Sequence, residues 1–314
     1  MSNPIFSIIV PIYNEQEVLP ETNRRLTDVF KNLGEPYELI YINDGSRDNS
    51  LALIKGICDN DKNVRLISFS RNFGHMAAIT AGMDFARGDA IIVIDADLQD
   101  PPEVLPEMIA EWRNGYDVVY GKRTTRKGEN AFKKLTARIY YRLLRKLTNV
   151  DIPVDTGEFR LIDRKVCDVM KSLTEKNRYI RGLVSWVGFN QKAVEYVREE
   201  RFAGETKYPL RKMIKLAFDG IASFSYKPLK LATGIGMIMS VCSFIYLLVV
   251  IFQRIFSVET VTQGWASTIA AILFSQGIVL MILGIIGEYI GRIFDELKGR
   301  PIYIVKEEIT DETE

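Results

Sequence analysis

The segment Ile91-Ile92-Val93-Ile94-Asp95-Ala96-Asp97 decides the fold. Four consecutive apolar residues without alternation indicate a strand that is covered on both faces, as in a mostly parallel sheet with crossover helices. Asp95 and Asp97 follow directly, and because they are two positions apart, their side chains point to the same side. The sequence therefore predicts a buried strand that ends in a pair of carboxylates at the edge of a sheet.

Similar strands recur from Phe6 to about Val119 and alternate with segments of helical periodicity. This alternation is typical of an α/β fold with a mostly parallel sheet. The predicted strands are Phe6 to Val10, Glu38 to Ile42, Val64 to Phe69, Ala90 to Ile94 and Asp117 to Tyr120. Polar or turn-forming residues follow each strand, at the end where open α/β sheets bind ligands.

Composition limits the class of protein. The 314 residues carry 41 basic and 40 acidic side chains, so the net charge of +1 gives no general reason to expect a nucleic-acid partner. Three widely spaced cysteines and one histidine, His75, argue against a disulfide scaffold and a structural zinc site. No basic or long apolar leader precedes the first strand, so we expect no signal peptide and a cytoplasmic first domain.

Two long uncharged runs predict a membrane hairpin. They are Leu231 to Phe252 and Thr260 to Gly287, and at ~1.5 Å per residue either helix reaches across a hydrocarbon core of about 30 Å. The alternative, two buried helices of a soluble core, rarely contains uncharged runs of this length. Basic residues flank the pair, so the positive-inside rule predicts a multi-pass protein of the inner (plasma) membrane with both termini in the cytoplasm.

Two basic segments are predicted to contact the membrane surface. Tyr208 to Phe218 has apolar residues at helical spacing with basic residues between them, the pattern of an interfacial helix. Ala131 to Lys146 is a second basic helix, either docked on anionic headgroups or solvated. The predicted division is 1–207 for the α/β domain, 208–228 for the juxtamembrane amphipathic helix, 229–291 for the hairpin and 292–314 for a cytoplasmic tail.

Strand ends carry the candidate ligand-binding residues. Pro11 to Glu15 lacks the Gly-x-Gly-x-x-Gly turn of dinucleotide-binding proteins. Asn43-Asp44-Gly45-Ser46 presents a carboxylate on a tight turn. This carboxylate either accepts hydrogen bonds from a nucleobase or a ribose, or only stabilises the turn. Asp95 and Asp97 repel each other unless a cation lies between them, and oxygen-only ligands suit Mg²⁺ or Mn²⁺ bridging a diphosphate.

Four motifs in this order resemble the polyprenyl-phosphate glycosyltransferases, relatives of dolichol-phosphate mannose synthase and the bactoprenol glucosyltransferases. The motifs are Pro11-x-Tyr13-Asn14-Glu15, Asn43-Asp44-Gly45-Ser46, Asp95-Ala96-Asp97-Leu98-Gln99-Asp100-Pro101-Pro102 and Arg201-x-x-Gly204-x-Thr206-Lys207-Tyr208. The resemblance covers nearly the whole chain. It implies a GT-A fold and an inverting transfer of a sugar from a nucleotide-sugar to a polyprenyl phosphate.

The resemblance and the charges assign roles to individual residues. The nucleotide-sugar is expected on Pro11, Tyr13, Glu15, Asp44, Ser46, Asp95 and Lys122, and a divalent metal on Asp95, Asp97 and Gln99. Phosphate groups are expected on Lys122, Arg123, Arg126, Arg201 and Lys207, which otherwise form a solvated basic surface. The catalytic candidates are Asp97, Asp155 and Glu158.

Glu158 departs from the family pattern. Asp155 to Arg160 resembles the segment near the reaction centre, in which an aspartate often stands at the position of Glu158. The carboxylate is one methylene longer here, so its role as a base or as an acceptor-positioning group stays a hypothesis. A lipid phosphate monoester is largely an anion near pH 7, so a strong general base is not essential. His75 is assigned either to a helix start or donor pocket, or to a structural role.

The predicted donor is UDP-glucose and the predicted acceptor is undecaprenyl phosphate, with GDP-mannose as the alternative donor. Membrane lipids are predicted partners, and the paired spans permit homo-oligomers in the membrane plane. A processive polysaccharide synthase is disfavoured because the sequence lacks the Gln-x-x-Arg-Trp motif and further spans. A non-catalytic nucleotide-sugar sensor is the alternative from another class, since it would bind the donor without releasing nucleotide.

Overall fold

A computed structural model describes residues 3–124, 153, 156–199, 227–255 and 264–310. The chain divides into two compact units, one formed by Met1–Gly220 with Arg300–Glu314 and the other by Ile221–Gly299. The described elements of the first unit are β1 (Phe6–Ile12), α1 (Leu19–Leu33), β2 (Tyr37–Asn43), α2 (Ser50–Asn60), β3 (Val64–Phe69), α3 (His75–Phe85), β4 (Ala90–Val93), a 3-10 turn (Pro102–Val104), α4 (Leu105–Arg113), β5 (Val118–Arg123), β6 (Thr156–Asp163), α5 (Arg164–Ser172), α6 (Ile180–Trp186), β7 (Gln191–Tyr196) and β8 (Val305–Ile309).

The described strands form one sheet in the order β7-β5-β6-β4-β1-β2-β3-β8. The neighbours β4, β1, β2 and β3 run parallel, as do β5 and β7, whereas β6 and β8 run antiparallel to the strands beside them. The predicted α/β class with a mostly parallel sheet is therefore confirmed. The chain proceeds from β1 to β2 and β3 on one side and then returns to β4 on the other, a reversal that leaves a crevice at the carboxyl ends of β1 and β4.

Helices cover both faces of β1. On one face, Phe30 of α1 packs against Phe6 with ring centroids 5.7 Å apart. On the other face, α3 lies so close that a Cβ added at Gly82 would be 2.2 Å from the Ile9 side chain. Neighbouring residues of β1 therefore point to opposite faces and are all buried, which explains why the central strands are continuously apolar.

Strand β8 is an element that the sequence analysis did not predict. Val305–Ile309 follows the second long helix and pairs antiparallel with β3, within the stretch that was assigned to a tail. Three of its five residues are charged, which weakens the β signal but suits an edge strand, because charges discourage pairing with other chains. Val305–Ile309 is thus part of the sheet.

The second unit contains α7 (Lys227–Ile255) and α8 (Trp265–Leu297), which form where the uncharged runs predict helices. Within the described residues, Phe274–Leu297 is long and apolar enough to cross a membrane, with a mean hydropathy of 1.8, whereas the apolar stretch Ala232–Tyr246 is shorter than a span. One candidate span is therefore observed, and the second stays a prediction. The basic segments 131–146 and 208–218 lie outside the described residues.

Candidate functional site

A cleft of about 740 Å³ opens at the crevice between the carboxyl ends of β1 and β4. The residues that line it come from four strand ends and the start of α3. They are Pro11, Ile12, Tyr13, Asn14, Glu15, Asp44, Asn72, Gly74, His75, Ala78, Asp95, Ala96 and Asp97. The cleft thus brings together six of the predicted site residues, namely Pro11, Tyr13, Glu15, Asp44, Asp95 and Asp97.

Hydrogen bonds connect the turn after β1 with the loop after β2. Asn14 has a left-handed backbone with φ of 55°, its N–H donates to Ser46 Oγ at 3.1 Å, and its side-chain oxygen accepts from the Arg47 N–H at 2.8 Å. The Glu15 N–H donates to Ser50 Oγ at 3.0 Å. Ser46 therefore shapes the turn and does not line the cleft, so its predicted contact with the nucleotide stays a prediction.

Asp44 is held by the loop that follows β3. Its two carboxylate oxygens accept from the N–H groups of Phe73 at 2.6 Å and Gly74 at 3.0 Å. Burial raises the pKa of Asp44, and these two backbone donors partly offset that effect. The carboxylate is therefore fixed in orientation while still facing the cleft.

The carboxylates after β4 form an acidic centre. Asp95 Oδ1 lies 3.4 Å from His75 Nε2, and 35% of the Asp95 side chain is accessible. The protein nevertheless surrounds this carboxylate deeply. Burial, opposed by His75 and helped by the charges of Asp100, Asp97 and Glu158, raises the pKa of Asp95 to about 6. Asp97 Oδ1 accepts from the Gln99 N–H at 3.2 Å. Clustered carboxylates of this kind are stabilised by a cation.

A second polar network, which includes Gln99, lies beside the acidic centre. Arg123 donates to the Asp100 carboxylate at 3.2 and 3.3 Å and to the Tyr196 hydroxyl at 3.1 Å, and that hydroxyl donates to Asp100. Arg198 donates to Gln99 Oε1 at 2.8 Å. The side chains of Gln99 and Arg123 thus already contact protein groups and are not among the residues that line the cleft.

Glu158 on β6 is a buried anion between two arginines. Arg181 Nε of α6 donates to Glu158 Oε1 at 2.8 Å, and Arg160 Nη2 lies 3.3 Å from Oε2. Arg181 also donates to the Thr156 carbonyl at 2.9 Å, so it forms hydrogen bonds with two residues of β6. Burial by itself raises the pKa of Glu158, but the charges of Arg181 and Arg160 outweigh it and lower the pKa to about 2.

The remaining predicted residues lie away from the cleft or outside the described residues. Lys122 on β5 forms an ion pair of 2.6 Å with Glu195, and both side chains are exposed. Asp155, Arg126, Arg201 and Lys207 lie outside the described residues. The sequence analysis missed Arg181, Tyr196 and Arg198, since each follows its partner by more than 20 positions and none belongs to a motif.

Among the described residues, no group of three His, Cys, Asp or Glu side chains is arranged to hold a metal ion. Asp95 and Asp97 are therefore a set of two carboxylates. A set of this size is typical of Mg²⁺, which usually binds one or two carboxylates and completes its shell with water and substrate phosphates.

Comparison with protein families identifies the class of both units. Residues 7–170 match the model "Glycosyl transferase family 2", and residues 227–293 match "GtrB C-terminal hairpin". The chain belongs to glycosyl transferase family 2. The cleft between β1 and β4 lies within the part that matches the family, and the described parts of α7 and α8 coincide with the hairpin.

Relatives in this family align along almost the whole chain. An uncharacterized glycosyltransferase, YkcC of Bacillus subtilis (strain 168), is 60% identical over 96% of this chain and 93% of its own length. The SfII prophage-derived bactoprenol glucosyl transferase of Shigella flexneri is 42% identical over 96% of this chain and 97% of its own length. The prophage bactoprenol glucosyl transferase homolog of Escherichia coli (strain K12) is 41% identical over 96% and 98%.

Proposed function

We propose that this glycosyltransferase moves a hexose from a nucleoside diphosphate sugar to a polyprenyl phosphate. The observation that carries the proposal is the cleft at the β1/β4 crevice, which collects Asp44, Asp95 and Asp97 where a nucleotide-binding α/β sheet places its ligand. Relatives named bactoprenol glucosyl transferase, similar over the full chain, support the lipid acceptor.

The residues after β4 fit a divalent cation. Asp95 and Asp97 offer only oxygen atoms, and burial together with the neighbouring carboxylates raises the pKa of Asp95, an effect that a bound cation would offset. We infer that Asp95 and Asp97 hold Mg²⁺ or Mn²⁺, and that Gln99 supports the Asp97 carboxylate through its N–H. When bound, the metal would stabilise the negative charge of the departing nucleoside diphosphate.

The acceptor phosphate is the nucleophile in the proposed reaction. It is already an anion near neutral pH, and Glu158, with a pKa of about 2, is a weak base. Glu158 therefore acts in our proposal by orienting groups near the acidic centre rather than by removing a proton. Attack on the anomeric carbon from the face opposite the leaving group gives the inverting outcome.

UDP-glucose is the proposed donor, and GDP-mannose is the alternative. The hairpin is proposed to cross the inner (plasma) membrane twice. The catalytic unit and both termini are then on the cytoplasmic side. This arrangement lets a water-soluble donor reach the cleft while the acceptor stays in the lipid. The exposed apolar side chains of the hairpin, such as Phe244 at 60% and Phe274 at 70%, support a lipid environment.

The test is transfer of radiolabelled sugar from UDP- and GDP-sugars to undecaprenyl phosphate by the purified full chain. We expect label in the lipid fraction with Mg²⁺ or Mn²⁺, loss of that label with EDTA, and a reduction of at least about 100-fold in Asp97→Asn. The matched control is Asp168→Asn, an exposed carboxylate on α5, which should keep full activity. Nucleotide binding without release of nucleotide from any donor would instead support the sensor.

A further inference from the structure

The chain segment after the hairpin returns to the wall of the cleft. The Ser70 N–H donates to the Ile304 carbonyl at 3.0 Å, and β8 then pairs with β3 from Phe69 back to Leu66. Ser70 begins the loop Ser70–Gly74 that joins β3 to α3, and Asn72 and Gly74 of that loop line the cleft. The backbone of the C-terminal segment therefore lies directly beside the start of this loop.

Tyr303 contacts both elements that flank the loop. Its ring stacks on Phe69 at the end of β3, with centroids 5.1 Å apart and planes tilted by 16°. Its hydroxyl donates to Asp84 Oδ2 on α3 at 2.8 Å. Burial raises the pKa of Tyr303, with Asp84 adding to that effect, so the hydroxyl keeps its proton at neutral pH. Tyr303 thus connects the carboxyl end of β3, next to the loop, with the last turn of α3.

The loop in turn positions Asp44. Phe69 meets the Phe73 ring edge-on at 5.8 Å, and the Arg71 guanidinium lies 4.0 Å above the same ring. The N–H groups of Phe73 and Gly74 hold the two oxygens of Asp44. A continuous series of contacts therefore runs from Tyr303 through Phe69 and Phe73 to the Asp44 carboxylate.

We propose that Tyr303 is a positioning residue for the nucleotide pocket, because its contacts with Phe69 and Asp84 fix β3 relative to α3, the two elements joined by the loop that orients Asp44. The inference rests on the proposed function, in which Asp44 contacts the donor nucleotide. Tyr303 touches neither donor nor acceptor and acts through the loop. Its loss should weaken donor binding and leave the transfer step and acceptor binding unchanged.

The experiment measures the Kd of the full-length protein for UDP and GDP by calorimetry, and the KM values for donor and lipid acceptor. We expect Tyr303→Ala to raise the nucleotide Kd and donor KM about tenfold, and Tyr303→Phe, which keeps the ring stack, about threefold. The kcat at saturating donor and the acceptor KM should not change. Adding Asp84→Ala to Tyr303→Phe should cause no further loss, since both changes remove the same hydrogen bond.

The matched control is Glu307→Ala, on the same C-terminal segment. Glu307 pairs with Lys55 at 2.5 Å, away from the loop, so its loss should not alter nucleotide binding. An unchanged Kd in folded Tyr303→Ala, or an equal loss in Glu307→Ala, would overturn the inference. If Tyr303→Ala does not fold, the nucleotide Kd values of Tyr303→Phe with and without Asp84→Ala test the inference instead. An unchanged Kd in Tyr303→Phe would then overturn it. Wild-type protein that binds neither UDP nor GDP would contradict the proposed function and, with it, this inference.

Discussion

At the scale of single residues, the charge state of Glu158 depends on two arginines, of which only one lies in the segment Asp155 to Arg160. Arg160 belongs to the same segment, but Arg181 comes from α6 and makes the shorter contact, 2.8 Å against 3.3 Å. A buried carboxylate without such partners would take up a proton. The pair of arginines keeps Glu158 ionised, and its negative charge contributes to the raised pKa of Asp95.

The lowered pKa of Glu158 predicts how stability depends on pH. An ionised Glu158 stabilises the folded protein above its ordinary pKa of 4.5, and this contribution is lost as pH falls from 4.5 towards about 2. Glu158→Gln removes the buried negative charge that Arg160 and Arg181 contact, and should cost about 3 kcal/mol at neutral pH. Denaturant unfolding should show the difference between wild type and variant shrinking across that acidic range.

A control separates this effect from ordinary surface pairing. Glu35→Gln removes the partner of Arg113, whose side chain is 48% exposed, and should cost less than about 1 kcal/mol. A difference between wild type and Glu158→Gln that stays constant from pH 7 to about pH 2 would contradict the assigned charge state.

Residue types at strand ends could be predicted from the sequence because a parallel sheet gathers those ends at one edge. That rule alone is enough to predict that Asp44, Asp95 and Asp97 lie around one cleft. Tyr196 and Arg181 could not be predicted, because their contacts with Asp100 and Glu158 depend on how β7 and α6 pack. Periodicity carries no information about that packing.

At the scale of elements, β1 to β5 were predictable and β6 to β8 were not. β1 to β4 are apolar and buried on both faces, so each stands out without reference to its neighbours. β6 contains Glu158, Arg160 and Asp163, and its buried charges satisfy one another only in the folded protein. β8 lies after the hairpin and pairs with β3, which is far away in sequence, so local sequence gives no indication of the pairing.

The loops at the strand ends also show why glycine is needed at one turn. Gly45 follows Asp44 with φ of +65°, and a Cβ there would lie 2.5 Å from the Arg71 carbonyl carbon. Gly34 ends α1 with φ of +68° and has no atom within 4 Å of an added Cβ. Both backbones are left-handed, but only the one at Gly45 is pressed against the loop that positions Asp44.

The two glycines give a matched pair of variants. Gly34→Ala and Gly45→Ala should each lose about 1 kcal/mol because alanine is strained at positive φ. Gly45→Ala must also displace the loop backbone, so its Kd for UDP should rise by at least about tenfold while that of Gly34→Ala stays at the wild-type value. Denaturant unfolding and calorimetry measure the two effects. Equal UDP affinities in the two variants would show that the loop tolerates displacement.

At the scale of the whole molecule, the two units have different surfaces. The sheet unit buries most of its large apolar side chains, with exceptions such as Trp186, whereas α7 and α8 expose many of theirs, including Leu280 at 61% and Phe294 at 59%. An exposed apolar surface of that kind is typical of a site that contacts a membrane or another protein. One candidate span, Phe274–Leu297, is observed, and the proposed hairpin requires a second crossing by α7.

Cysteine labelling in intact cells distinguishes one crossing from two. In a chain whose natural cysteines have been replaced, Val258→Cys lies between the two helices in sequence and Lys298→Cys lies after them. If the hairpin crosses twice, a membrane-impermeant maleimide should label position 258 in intact cells and position 298 only after lysis. Protection of both positions, or labelling of both, would contradict the predicted topology.

The pairing of β8 with β3 also determines the order in which the protein is completed on the ribosome. β3 ends at Phe69, and its partner begins at Val305. At roughly 5–20 residues per second, the intervening stretch of about 240 residues takes roughly 12–48 s to synthesise. Throughout that time β3 lacks its β8 neighbour, and both helices of the hairpin are made before it arrives. The sheet of the first unit is therefore completed by residues that are synthesised after both long helices.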